Sequence, residues 1–414
     1  MEAGLKKYDA YAALRNKEFT LFLGARFLLN FSIQIQAVIV GWQIYQITNN
    51  PFSLGLIGLA EAIPAIGIAL FGGHLADSFN RKTIILWCAL VLFGCSSALF
   101  FISSDVDGIL LNNGLVSIYG VIFISGISRG ILGPAIFSFW PQIIQDKAVF
   151  SNAVTWNSTF WQISATAGPA IGGLLIAPLG IHFSYLVDAG LIAVSFVLFS
   201  IINRKPTPVR DVQNSIWTDI TAGLKFVLNH QIILSTLVLD LFAVLFGGAV
   251  ALLPVFAKDI LQVGAFEFGI LKAAMGLGAV FTAIVLAYNP IKKDAGIKLF
   301  FAVGTFGVTM IVFGLSTHFW LSFAMLLLAG VMDGISVVIR GTLIQIHTPD
   351  AMKGRVSAVN NIFIGSSNEI GAFESGLAAK LFGVVNSVVI GGFLSIGVVI
   401  VTAAKADKLR KLQM

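Results

Sequence analysis

Apolar runs of roughly 20 residues recur from one end of this chain to the other, broken only by short polar stretches. A hydrocarbon layer about 30 Å thick needs about 20 residues per helical crossing at a rise of 1.5 Å, so each run has the length of a membrane span. Between the polar breaks of the 414 residues, the runs fall at 19–43, 53–73, 84–103, 115–139, 153–177 and 183–202. A second set falls at 231–256, 268–288, 299–315, 320–345, 357–382 and 388–404. Composition agrees: 57% of residues are apolar and 11% charged, against about 45–50% and about 25% in soluble domains. A water-soluble globule is excluded. So is a membrane barrel, whose strands alternate and are about ten residues long. With no short apolar segment and small-residue cleavage site at the start, the first crossing is expected to serve as an uncleaved anchor.

The longest polar stretch, 203–214, divides these twelve expected crossings into two sets of six. The expected organisation is an all-α membrane protein of two pseudo-symmetric six-helix bundles, 1–202 and 231–414. A linker over 203–230 joins them, and its Ile216-to-Phe226 part reads as a helix on the membrane surface. Of 26 Lys and Arg, 20 fall on the side of both termini and the linker, Lys258 alone on the other, and five inside crossings. Positive residues stay inside, so both termini are expected in the cytoplasm. This asymmetry accounts for the basic balance without nucleic acid, and basic loops suit anionic lipid headgroups. A weak internal repeat is visible: a shift of 214 carries Arg26 to Asp240 and Gly55 to Gly269, and a shift of 204 carries Arg129 to Asp333. Cys88 and Cys95, seven apart on one helix and so about 10.5 Å apart along it, are too distant for a disulfide.

Two motifs and one arginine stand out. After the second run comes Gly72-Gly73-His74-Leu75-Ala76-Asp77-Ser78-Phe79-Asn80-Arg81-Lys82, the fourth contains Arg129, and the fifth contains Gly168-Pro169-Ala170-Ile171-Gly172-Gly173. Together they resemble the signatures of the major facilitator superfamily: the loop between helices 2 and 3, the helix-4 arginine and the helix-5 antiporter motif. Gly354 to Asn360, Ser367 to Gly371 and Phe373 to Gly376 are similar to the bacterial drug and siderophore efflux branch, of the enterobactin-exporter and macrolide-efflux type. Two departures are plain. Ser164 stands where the antiporter motif usually begins with glycine, and Ala287-Tyr288-Asn289-Pro290 with Lys292 and Lys293 lacks the acid of a second loop motif.

The resemblance implies that Asp77, with Gly73, Arg81 and Lys82, latches the cytoplasmic side against the start of helix 11, near Ser357. It implies that Gly168, Pro169, Gly172 and Gly173 form a tight, dry helix contact associated with export. A packing role alone would also fit glycines four apart. Ten charges lie within crossings besides Lys380 near the end of its run: Arg26, Glu61, Arg129, Asp188, Asp240, Lys272, Asp333, Arg340, Glu369 and Glu374. At about 2.5–3.5 kcal/mol each on a lipid face they would outweigh the ~5–15 kcal/mol stability of a typical domain. Most must face water, each other or helix ends. Lys272 and Glu374 read as lying near a membrane interface. Arg26, Asn30 and Gln34 recur every four residues and form one polar stripe. Helices 1, 4, 7 and 10 line the central cavity in the superfamily, which places Arg26, Arg129, Asp240 and Asp333 there by resemblance. Whether these pair across the halves, or within them as Asp333 with Arg340, stays open.

Enzyme signals fail on context. Gly126-Ile127-Ser128-Arg129-Gly130 has the spacing of a nucleophile elbow but lies inside an apolar helix. There is no Walker sequence, and the five histidines lack metal-ligand spacing. No metal or cofactor is expected. The expected protein is a monomeric, multi-pass transporter of the bacterial cytoplasmic membrane, exchanging an amphiphilic small molecule for protons. Glu61, Asp188 and Asp240 lead as proton carriers, with Glu369 and Arg340 among the further cavity candidates. An importer or facilitator, or a membrane sensor that moves nothing, are the rival readings.

Overall fold

The computed structural model describes residues 9, 11–104, 114–144, 146–206, 216–289, 291, 293–349 and 352–410. Its elements are helical: α1 Lys17–Thr48, α2 Pro51–Ser78, α3 Arg81–Ser104, α4 Gly114–Phe139, α5 Lys147–Ile201 and α6 Ile216–Asn229. Then follow α7 Gln231–Phe246, α8 Ala265–Tyr288, α9 Ala295–Leu315, α10 Phe319–His347, α11 Lys353–Phe382 and α12 Val384–Lys405. Among the described residues nine helical stretches are long and apolar enough to cross a membrane. Neither α2 nor α11 is among the nine: only Pro51–Ala65 of α2 is a short apolar helix, and α11 carries Asn360, Asn361, Glu369, Glu374 and Lys380.

Local chemistry sets the turns. Asn16 caps α1 by accepting a hydrogen bond from Phe19 N at 3.1 Å, and Asn49, in the left-handed region at φ 46°, ends it. Asn50 then caps α2 through Phe52 N at 3.0 Å, with Pro51 at the first helical position. These three residues reverse the chain with few exposed backbone groups. Gly383, at φ 86°, makes the corresponding reversal between α11 and α12.

The fifth and sixth expected crossings form one assigned helix, α5, but Gly180 breaks it at φ 73°, ψ 172°. Contacts with α1 show the consequence. Before the break, Asn157, Gly168 and Gly172 meet Arg26, Gln34 and Val38 in parallel order. After it, Tyr185, Asp188, Ser195 and Leu198 meet Gln43, Ser32, Ala25 and Gly24 in reverse order. The two legs therefore run antiparallel beside α1. The seventh expected crossing is also interrupted: α7 ends at Gly247 and continues as a 3-10 stretch Gly248–Leu252 and a π-helical turn Phe256–Ile260.

Asn80, Arg81, Lys82, the 202–206 segment and α6 mark one side of the molecule, here the linker side; Asn49, Gly180 and Gly383 mark the far side. On the linker side Asn80 donates to Lys205 O at 2.9 Å, and Lys205 pairs with Glu18 at 2.5 Å. The largest apolar cluster joins α1, α4 and the α5 legs to Leu252–Phe256, α8, α9 and α10, and so unites residues from both parts of the sequence.

Candidate functional site

Between the two parts lies a cavity of about 470 Å³. Gln34 and Val38 of α1, Glu61 of α2 and Arg129 of α4 line one wall; Lys272 of α8, Asp333 of α10 and Asn368 and Glu369 of α11 line the other. Leu54, Ile57, Phe268, Met275 and Phe306 make the remainder largely apolar. Five charged side chains in an apolar chamber between helices can bind a polar small molecule and exchange protons.

Helix packing sets this wall. Pro64 removes a backbone donor inside α2 and lets it bend. At that bend α4 passes so close that a Cβ on Gly126 would sit 2.8 Å from Glu61 O and from the Pro64 ring. Gly130, one turn on, is equally tight against Ala65. The Gly-x-Ser-x-Gly spacing is thus a packing stripe, and Arg129 within it forms an ion pair with Glu61. On the opposite wall α11 approaches because Gly58 leaves no room for a Cβ, which would be 2.9 Å from Glu369 O. Glu369 thereby comes within electrostatic reach of Arg129. One guanidinium and two carboxylates, one from each wall, thus line the same cavity.

The second wall holds two charges that are not paired. Lys272 donates from Nζ to Val250 O at 3.4 Å, and Asp333 has no ion pair or hydrogen bond, both statements among the described residues. Lys272 therefore lines the cavity. Sequence reasoning noticed this in-span cation but read only its depth; its position on the same α8 face as Phe268 and Met275 was the missed signal.

Several expected cavity residues lie elsewhere. Arg26 hydrogen-bonds Asn157, and Asn30 Nδ2 is buried without a partner among the described residues. Neither lines the cavity. Asp188 is fully buried and accepts from Ser32, from Ser96 at 2.6 Å and from Gln36 at 3.2 Å. Asp240 and Arg340, both buried, form an ion pair with each other. Neither Arg26 with Asp240 nor Arg129 with Asp333 forms across the halves. The alternative pair of Asp333 with Arg340 is not formed either, because Arg340 reaches α7. A small side pocket lined by Asp240, Phe306, Asp333 and Ser336 lies beside the cavity.

Within the antiporter motif, Gly168 and Gly172 admit α1 at Gln34 and Ile35, Pro169 is buried, and Gly173 meets Gly269 of α8. A Cβ on Gly173 would lie 2.6 Å from Gly269 N. Of the loop motif, Arg81 donates to Ser138 O at 3.0 Å, and Lys82 to Ser200 O at 2.7 Å and Ile202 O at 2.5 Å. These cations satisfy carbonyls where α4 and α5 end. Gly73 and Asp77 fall within α2, but their surroundings, like those of Ser357, lie outside the described residues.

On the far side the two parts of the chain touch repeatedly. Tyr45 OH donates to Asp259, Lys258 donates to Asn49 at 2.6 Å, and Trp42 stacks on Phe268 at 5.0 Å. Phe52 lies 6.0 Å from Phe373 and carries Lys380 over its ring at 4.6 Å. A Cβ on Gly376 would stand 2.7 Å from Gly55 Cα.

Comparison with known proteins gives a consistent result. A family model described as transmembrane secretion effector matches residues 8–413. Enterobactin exporters EntS of Shigella boydii serotype 18 and Escherichia coli O1:K1 are each 27% identical to the chain, covering 96% of it and 92% of the relative. Among solved structures, a bacterial homologue of the iron transporter ferroportin in an inward-facing state superposes with TM-score 0.73 at 14% identity, covering 96% and 99% of the two chains. The nucleoside transporter NupG superposes with TM-score 0.72 at 13% identity, covering 94% and 98%.

Proposed function

The chain belongs to the transmembrane secretion effector family of major facilitator transporters, and from that premise we propose that it exports an amphiphilic small molecule in exchange for protons. It is a multi-pass membrane transporter and not an enzyme. In this reading twelve crossings form two six-helix bundles, 1–202 and 231–414, joined by the 203–230 linker. Both termini face the cytoplasm of a bacterial cell, and the protein works as a monomer among anionic lipids. A siderophore or a drug-like compound is the proposed cargo, supported by relatives named enterobactin exporters.

One observation carries the proposal: Arg129 is ion-paired with Glu61 of its own wall in a cavity that Glu369 of the opposite wall also lines. Two carboxylates and one guanidinium leave one negative charge uncompensated, and a proton on either acid neutralises the trio. Because the acids belong to different walls, that proton changes the attraction holding the walls together. The far-side contacts support a state closed toward the outside. Gly168, Pro169, Gly172 and Gly173 keep that closure dry, and Asp77 with Gly73, Arg81 and Lys82 is assigned to the opposite, cytoplasmic closure.

Proteoliposomes with an imposed pH gradient test this. A panel of amphiphilic compounds, zwitterionic ones and enterobactin among them, should contain at least one that the native protein concentrates uphill, with the signal abolished by nigericin. Glu369→Gln or Glu61→Gln should lose uphill movement and keep downhill exchange. If both variants still concentrate cargo, proton coupling through this trio is wrong.

A further inference from the structure

The cavity treats its charges unequally. Arg129 is ion-paired with Glu61, while Lys272 and Asp333 line the same chamber with no oppositely charged partner among the described residues. They cannot easily satisfy each other. Lys272 is seven residues into α8 and Asp333 fourteen into α10, and both helices start on the far side. At 1.5 Å per residue the two Cα positions differ in depth by about 10 Å. Lys272 spends one donor on a long bond to Val250 O and keeps two. Asp333 keeps its acceptor sites.

Between those depths the wall is apolar. Met275, three residues beyond Lys272 on α8, lies in that interval, and Phe306 lines both the chamber and the side pocket that Asp333 shares. An apolar strip with an unpaired ammonium at one depth and an unpaired carboxylate at another is complementary to one kind of molecule.

We infer that the cargo is a zwitterionic amphiphile: an anionic group held by Lys272, an ammonium held by Asp333, and an apolar or aromatic body between them against Met275 and Phe306. This rests on reading the chamber as the transport site. A molecule with a single charge leaves one of the two residues unpaired in an apolar setting and binds more weakly.

The test uses 4-(aminomethyl)benzoate, whose opposite charges lie across one ring, with three capped forms. These are its methyl ester (cation only), its N-acetyl derivative (anion only) and the N-acetyl methyl ester (neutral). Calorimetric titration of the full-length purified protein in nanodiscs should rank the zwitterion first, each cap weakening binding about 10- to 100-fold, the range of one charge-assisted hydrogen bond. Lys272→Met should erase only the penalty for capping the carboxylate, and Asp333→Asn only that for capping the amine. Weak binding of the zwitterion no better than its neutral form, no binding at all, or equal penalties in native and variant proteins would overturn the assignment. A protein that shows the charge-selective binding yet never moves cargo uphill removes the exporter reading alone; one that exports and binds all four forms alike removes this one alone.

Discussion

Both halves of the chain bury an acid inside a helix, and they neutralise it in opposite ways. In the first half Asp188 sits among neutral groups, the hydroxyls of Ser32 and Ser96 and the amide of Gln36. In the second, Asp240 is held by the guanidinium of Arg340. The difference matters because hydroxyls can reverse their donor and acceptor roles, whereas a guanidinium can only donate and keeps its charge. The first network can adapt to a changed partner and the second cannot.

The largest effect is therefore expected at the ion pair. Asp240→Asn or Arg340→Ala should each destabilise the protein by about 3–5 kcal/mol, the cost of a buried charge left alone, while Asp240→Leu combined with Arg340→Met should recover most of it. Thermal unfolding followed by size-exclusion chromatography reads this directly. Losses that simply add in the double variant would mean that the pair is not the organising contact, and the contrast between the halves would fall.

Next in size are the two far-side glycine crossings, Gly173 with Gly269 and Gly55 with Gly376, one between α5 and α8 and one between α2 and α11. Here the halves are alike. Gly173→Val and Gly376→Val should each force the walls apart at an overpacking cost of about 1–3 kcal/mol. Electron-electron distances across the far side should lengthen in both, with a matching fall in transport. If only one variant opens that side, the two crossings are not equivalent and the internal repeat does not extend to the gate.

Much of this architecture was legible in the sequence. Hydropathy set the depth of the helices, and Gly168, Pro169 and Gly172 announced a close helix contact. Pairing was not legible, because depth says nothing about rotation about a helix axis. Arg26 and Asp240 share an offset of 214, yet Arg26 turns to Asn157 and Asp240 to Arg340. Rotation is fixed by which glycines admit which neighbour. Gly126 and Gly130 press α4 onto α2 and so aim Arg129 at Glu61; that stripe was visible as spacing, but its partner helix was not. That Lys272 faces the cavity was hidden for the same reason.

A smaller effect sharpens the opening contrast. Asp188→Asn retains one acceptor oxygen, and Ser32 or Ser96 can turn to accept from the new amide. The expected cost is about 1 kcal/mol, that of one imperfect hydrogen bond. Measured beside Asp240→Asn under one set of conditions, it should be at least threefold smaller. Comparable losses would show that Asp188 is as rigidly required as the ion pair.

The smallest effect lies where the halves meet on the far side, and it separates two kinds of closure. The α2–α11 contact is mainly apolar, with Phe52 against Phe373 and beneath Lys380. The contact of α1 with the π-helical turn is polar, through Tyr45 with Asp259 and Asn49 with Lys258. Asp259 is exposed, so water competes for its carboxylate and the bond adds little net free energy. Tyr45→Phe removes the hydroxyl and leaves the buried ring in place, which should favour the far-side-open state by about 0.5–1 kcal/mol, roughly two- to fivefold in population. Phe52→Ala removes apolar area as well and should shift the same distance distribution further. Because an apolar contact is not screened by ions, raising salt should mimic Tyr45→Phe in part and leave the effect of Phe52→Ala unchanged. The reverse ranking, or a salt response confined to Phe52→Ala, would reassign the polar contact as the main closure and the aromatic one as its support.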